Sequence, residues 1–314
     1  MKATHNHAPI SVLPQLAKHN ESWPLLRKLR RMLSAIRLAR HRGNRIIRSR
    51  SRIGGQDLEK PTPERKCWKV AFGCVAGTRH LNQGRNCEDA VGSFVAGQLL
   101  GVAIADGAGS APRGGLGATV AVRAALAAIQ HAYLNGDPTT QGAAREILCS
   151  AFRCALKSLT DEAARCSLPP SDLACTLIVV ISDGSFVAAG QVGDGSVVIS
   201  DAAPELITLS TPTNGEFANE TALLGCGAFV DVKLSVANNP IREIAACTDG
   251  IQRLALNLPD GTPYAGFFGP LFRGIGELTE VDAERALAAF LLSPPVAART
   301  DDDKTLLVAQ ISCG

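Results

Sequence analysis

The sequence predicts an α+β fold in which sheets and helices stack in layers. Three observations point there. Short β-rich runs bounded by Gly, Asp, Asn or Pro recur from Cys67 to the end of the chain. Alanine-rich stretches of helical length lie between them. The strands come in runs separated by paired helices, whereas a doubly wound parallel sheet needs strand and helix to alternate one for one.

Taken in order, the β-rich runs are CWKVAFGCVAG, AVGSFVAGQLLGVAIAD, DLACTLIVVIS, SFVAAGQVGD, SVVIS, DVKLSVA, EIAACTD and KTLLVAQIS. Each is rich in β-branched or aromatic residues and stops at a residue that breaks a ladder. Helices are expected near 115–134, near 141–166 and near 281–292. Alanine dominates them because it loses no side-chain entropy in a helix. No fixed-period repeat interrupts this order.

A chain of 314 residues has ample length for a core, and its longest apolar run falls far short of a membrane span. The start, MKATHNHAPISVLPQLAKHN, lacks the apolar stretch of a signal peptide. None of the ten cysteines forms a CxxC pair, and most sit in apolar runs, as Cys149, Cys175 and Cys247 do. Reduced thiols in a cytoplasmic protein are the expected state. Charge is divided unevenly. Residues 1–66 hold 16 Lys and Arg against 4 Asp and Glu, and the remainder holds 16 against 25. The basic leader spaces Trp23, Leu26, Leu29, Leu33, Ile36 and Leu38 at roughly helical intervals among arginines. It reads either as an amphipathic helix for an anionic membrane, nucleic acid or a partner protein, or as a solvated basic extension. The segment GGQDLEKPTPER is a linker, so the chain divides into an extension, 1–66, and a folded domain, 67–314.

Several strands run directly into a carboxylate. Asp106 follows VAIA, Asp194 follows AAGQVG and Asp249 follows IAACT, and each precedes a glycine. Glu88 and Asp89 stand at the entrance of another strand, and Asp301, Asp302 and Asp303 stand before the last. One Asp-Gly dipeptide is an ordinary turn former. Four or five acidic strand ends, if they converge, repel one another unless a cation neutralises them. All-oxygen ligation suits Mg²⁺ or Mn²⁺ and not zinc. Competing chemistries lack their residues. Four of the six histidines lie in the leader, leaving His80 and His131, and there is no GxSxG elbow. Neither a P-loop nor a complete dinucleotide fingerprint is present.

The ordered set NCEDA, ADGAGSAPRGGLGA, ACTLIVVI, GQVGDGSVV, FANETALL, CTDGIQRLAL and RTDDDKTLLVA resembles the motifs of PP2C-type metal-dependent serine/threonine phosphatases, in an atypical bacterial form. The resemblance covers roughly residues 67–312. It implies a four-layer αββα sandwich: two antiparallel sheets face to face, with helices outside. It also implies two metal ions, Mn²⁺ or Mg²⁺, that activate a water to attack a phosphoserine or phosphothreonine monoester. The substrate is then a phosphorylated protein, the product of a Ser/Thr kinase. By motif position Asp106 bridges both ions, the Gly107 carbonyl binds one, Asp249 ligates the second, and Asp89 binds directly or through water. Asp302 is the last ligand, with Asp303 as its fallback. Thr176, Asn219 and Glu220 shape the site.

Departures from the family pattern are informative. Ala108 stands where a histidine serves as the proposed acid for the leaving group. The phosphate-gripping arginine position is Gly84, leaving Arg85, Arg79 and Arg113 as candidates. Arg253 replaces the aspartate of a third metal site, so Asp194 is either an additional ligand or a structural turn residue. The alternative function is a weak or inactive module of this fold that binds a phosphoprotein or kinase partner.

Overall fold

The computed structural model describes residues 66–136, 141–201, 205–210, 222–227, 231–258 and 260–313. The leader up to residue 65, together with Asn219 and Glu220, lies outside the described residues.

Two five-stranded antiparallel sheets form the centre. The first has the order β1 (Lys66–Val75), β12 (Lys304–Cys313), β9 (Ile241–Cys247), β6 (Ser196–Asp201) and β7 (Leu206–Ser210). The second runs β2 (Asp89–Ala96), β3 (Leu99–Asp106), β4 (Leu177–Ser182), β5 (Val187–Val192) and β8 (Lys233–Ala237). A two-residue ladder joins β10 (Leu256–Asn257) to β11 (Thr262–Pro263). Every strand pair is antiparallel.

The near-continuous hydrophobicity of these strands follows from burial on both faces. Leu100, Val102 and Ile104 of β3 pack between the sheets with Ile178, Val180, Ile199, Ile244 and Leu307. After the short α1 (Thr78–Asn82), the helices pack on the sheets: the alternates Leu99, Ala103 and Ala105 face α2 (Gly114–Asn135) and α3 (Gln141–Arg165), against Ile129, Leu148 and Phe152. On the opposite side, Val198, Ala245, Leu306 and Val308 meet α4 (Asp249–Ala255), α5 (Ala265–Gly276), α6 (Glu280–Leu291) and α7 (Pro294–Ala297). Three apolar layers therefore separate four structural layers, and at about 1.5–3 kcal/mol per fully buried aliphatic side chain they are the main stabilising contribution. This is the expected αββα sandwich.

α5 is a helix that the alanine pattern does not announce. Its sequence, AGFFGPLFRGIG, holds four glycines and an internal proline, Pro270. Phe267, Phe268, Leu271, Phe272 and Ile275 nevertheless recur at helical spacing and are all buried. Tertiary burial overrides poor propensity here.

Candidate metal centre

The register of β2 against β3 sets Asp89 directly opposite Asp106. Seven buried residues lead along β3 to Asp106, so the sheet carries that carboxylate rigidly to its edge. Thr176 fastens the position. Its Oγ1 accepts from the Asp106 N–H at 2.9 Å, and its own N–H donates to the Asp106 carbonyl at 2.8 Å. Asp89 is buried and bridges the two sheets: its Oδ2 accepts from Thr248 Oγ1 at 2.9 Å and from Thr305 Oγ1 at 2.7 Å. Thr248 precedes α4, Asp249 is that helix's first residue, and Thr305 is the second residue of β12.

The Asp-Gly dipeptides are not positive-φ turns, since Gly107, Gly195 and Gly250 all lie outside the left-handed region. Close packing explains them instead. A Cβ on Gly107 would stand 2.5 Å from the Gly115 nitrogen, and one on Gly250 would fall on the Asp303 carbonyl oxygen. The chain thus passes the site with no room for side chains.

Asp106, Gly107, Asp194, Asp249 and Asp302 line a single cleft of about 200 Å³, together with Arg79, His80 and Ala108. A larger hollow beside Pro170 and Gly225 holds none of these carboxylates and has no part in the site. Burial, with repulsion from Asp89, Asp249 and Asp302, pushes the Asp106 carboxyl far above the ordinary carboxylate range. Burial raises Asp89 as well, and the Thr305 and Thr248 hydroxyls offset this only in part. Asp249 is pushed up to about 6 by burial and by the charges of Asp194 and Asp302. Crowded, desolvated carboxylates of this kind are stabilised by a counter-charge.

Two atoms indicate what would supply it. Asp89 Oδ1 and Asp249 Oδ1 are buried and have no hydrogen-bond partner. A buried carboxylate oxygen without a donor is costly, and a hard cation with oxygen ligands removes that cost. Among the described residues, no three His, Cys, Asp or Glu side chains are already gathered about one point as a finished metal site. Asp106, Asp194, Asp249 and Asp302 share the cleft without yet sharing a centre, and Asp89 lies behind its lining, opposite Asp106 in the sheet. Their chemistry fits Mg²⁺ or Mn²⁺.

The remaining predicted residues divide clearly. Arg79 is in the cleft wall and pairs with Asp302 at 2.6 Å. Arg85 is tied to Glu88 at 2.5 Å. Arg113 stands outside the cleft lining and donates its backbone N–H to the Asp172 carbonyl at 2.8 Å. Asp194 faces the cleft, and its carbonyl accepts from the Gln252 side chain. Asp303 is buried and fully engaged: it accepts from Gly77 N at 2.7 Å, Glu88 N at 2.5 Å and His80 Nδ1 at 2.9 Å. Burial acts to raise its pKa, but these donors outweigh burial and hold it below the usual range. Sequence reasoning did not assign His80, Thr248 or Thr305 to the site. His80 carried the one available signal, as one of two histidines outside the leader.

The description "Protein phosphatase 2C" matches residues 76–292. The chain belongs to the protein phosphatase 2C family. Over 251 residues it is 35% identical to serine/threonine-protein phosphatase 3 of Escherichia coli (strain K12), covering 77% of this chain and 98% of that protein. Solved structures share the protein phosphatase 2C fold at lower identity. The serine/threonine phosphatase Stp1 from Staphylococcus aureus superposes with a TM-score of 0.55 at 16% identity, over 83% of this chain and 100% of that one. The catalytic domain of PstP, solved in complex with two manganese ions, gives 0.51 at 16% identity, over 78% and 99%. The family match includes Asp89, Asp106 and Asp249 and ends before Asp302.

Proposed function

We propose that this chain hydrolyses phosphoserine and phosphothreonine monoesters on proteins, with two divalent cations, Mn²⁺ or Mg²⁺, held by Asp89, Asp106, the Gly107 carbonyl, Asp249 and Asp302. The observation that carries this reading is the pair of buried, unpartnered carboxylate oxygens on Asp89 and Asp249, beside the raised Asp106, in a protein phosphatase 2C chain. Membership of a serine/threonine phosphatase, and of a manganese complex, among the similar proteins supports it. Bound there, the cations would acidify water and stabilise charge on the phosphoryl oxygens.

The protein's own residues do the positioning. Thr248 and Thr305 hold Asp89 by one oxygen and leave the other for a cation. Asp302 is favoured over Asp303 as the last ligand because both Asp303 oxygens are already accepting hydrogen bonds. Of the three candidate arginines, Arg79 is the one in the cleft wall, and its guanidinium is suited to hold phosphate by two parallel hydrogen bonds. Asp194, which also lines the cleft, is the candidate for an additional ligand. Ala108 offers no proton to a leaving group, and general acid catalysis contributes about 10²–10⁴-fold. Alkyl phosphates are therefore hydrolysed slowly, and aryl phosphates suffer less.

The substrate is the phosphorylated product of a Ser/Thr kinase, and the basic leader contacts an anionic membrane, nucleic acid or partner. A cytoplasmic location belongs to the same reading; among the described residues no helix is long and apolar enough to cross a membrane. The first test is p-nitrophenyl phosphate hydrolysis with Mn²⁺, with EDTA, and with Asp106→Asn. Turnover that needs Mn²⁺ and is lost in both controls is expected. Folded protein that binds Mn²⁺ without turnover would instead make it a binding module.

A further inference from the structure

Cys74 and Cys87 are separated by 13 residues, yet their sulfurs lie 3.5 Å apart. Cys74 is on β1, opposite Thr305 in the β12 register, and its thiol also lies 3.6 Å from the Asp89 carbonyl oxygen, to which it donates. Cys87 stands two residues before Asp89, in the segment that leads into β2. Both cysteines are half-buried and within reach of small solutes, unlike the buried Cys175 and Cys247.

We propose that Cys74 and Cys87 form a redox modification site: a dithiol that a peroxide converts to an intramolecular disulfide, and whose oxidation weakens cation binding at Asp89. The first half stands on the sulfur contact. The second rests on the metal reading given above. The chemistry balances simply. One thiol gives up its proton, and the thiolate attacks hydrogen peroxide to give a sulfenic acid and hydroxide, which takes up that proton as water. The second thiol then displaces hydroxide, which leaves as a second water. Two thiols lose two hydrogens in total, and one peroxide becomes two waters.

Geometry links the bond to the carboxylate. A disulfide draws the sulfurs from 3.5 Å to about 2.05 Å, so the two thiols must approach each other by more than an ångström. Asp89 is held by Thr248 and by Thr305, and Thr305 is the β12 residue opposite Cys74. Oxidation also removes the Cys74 S–H that donates to the Asp89 carbonyl, so it acts on the segment whose side chain the two hydroxyls aim. Partners that orient a ligand carry about 10–100-fold of metal affinity, so the expected loss is about tenfold.

The experiment uses the full chain. Reduced protein is treated with one equivalent of hydrogen peroxide, alkylated and digested without reductant, and Mn²⁺ affinity is measured by titration calorimetry before and after. A Cys74–Cys87 linked peptide is expected as the first disulfide. The Mn²⁺ dissociation constant should rise about tenfold and recover with a phosphine reductant. Cys87→Ser should keep the reduced affinity after peroxide, and Cys74→Ala repeats the test should that variant fold poorly. A different first disulfide, or this one with unchanged Mn²⁺ affinity, overturns the proposal. Failure of the reduced protein to bind Mn²⁺ at all overturns the metal reading and the coupling with it, while the peptide map still judges the dithiol.

Discussion

Asp302 and Asp303 are chemically identical neighbours with opposite surroundings. Asp303 accepts three hydrogen bonds in a buried setting, whereas the Asp302 side chain is 30% exposed in the cleft and meets Arg79. Asp303→Asn puts an amide NH₂ either against the Gly77 N–H or against the Glu88 N–H and His80, and should destabilise the fold by about 1–3 kcal/mol in urea unfolding. Asp302→Asn should leave that midpoint nearly unchanged and weaken Mn²⁺ binding in calorimetry; the reverse pattern would exchange their roles. Asp249 gives a pH-dependent prediction. Its carboxyl is raised from 3.8 to about 6 in the folded chain, so folding favours the protonated form. That contribution is complete below about pH 4 and disappears as pH rises through about 6, on the order of 3 kcal/mol. In EDTA, thermal stability should therefore fall across this window, and less so in Asp249→Asn, whose amide never ionises. Parallel curves for the two proteins would show that the burial of Asp249 is not felt.

At the scale of elements, the strand-end aspartates were legible because a carboxylate after an apolar run is visible without knowing the fold. The three alanine-rich helices were legible for a similar reason. The strands' partners were not, since Asp89 meets Thr248 and Thr305 across 159 and 216 residues of chain. No local pattern encodes a contact of that range. α5 was missed because its glycines and proline argue against a helix while its buried aromatics require one. The Asp-Gly pairs looked like turns, and the reason for their glycines became visible only in the packing. Gly117, in α2, makes the same point as a test. Glycine to alanine inside a helix ordinarily gains about 1 kcal/mol. Here the added Cβ would fall on the Leu173 carbonyl oxygen, and backbone cannot yield as a side chain does. The clash should win. Gly117→Ala is expected to lower stability by about 1–3 kcal/mol, read as a reduced urea midpoint; a rise would mean that the Leu173 segment relaxes freely.

At the scale of the molecule, the charge distribution separates binding from chemistry. The sandwich and its cleft lie within residues 66–313. Residues 67–314 carry 16 basic against 25 acidic side chains, whereas the leader carries 16 against 4. An acidic body is repelled by anionic surfaces, so attraction to them has to come from the leader. Each Lys or Arg held near an anionic lipid surface contributes about 1 kcal/mol, and the attraction decays within a Debye length of about 10 Å at 0.1 M salt. Full-length protein should therefore sediment with phosphatidylserine-containing vesicles at low ionic strength and be released by high salt. Protein lacking residues 1–64 should stay in the supernatant at both, yet hydrolyse p-nitrophenyl phosphate with unchanged Mn²⁺ dependence. Retained vesicle binding by the truncated chain would place the anionic contact on the sandwich. Lost turnover would mean that the leader helps to build the site, and the boundary between extension and domain would have to move.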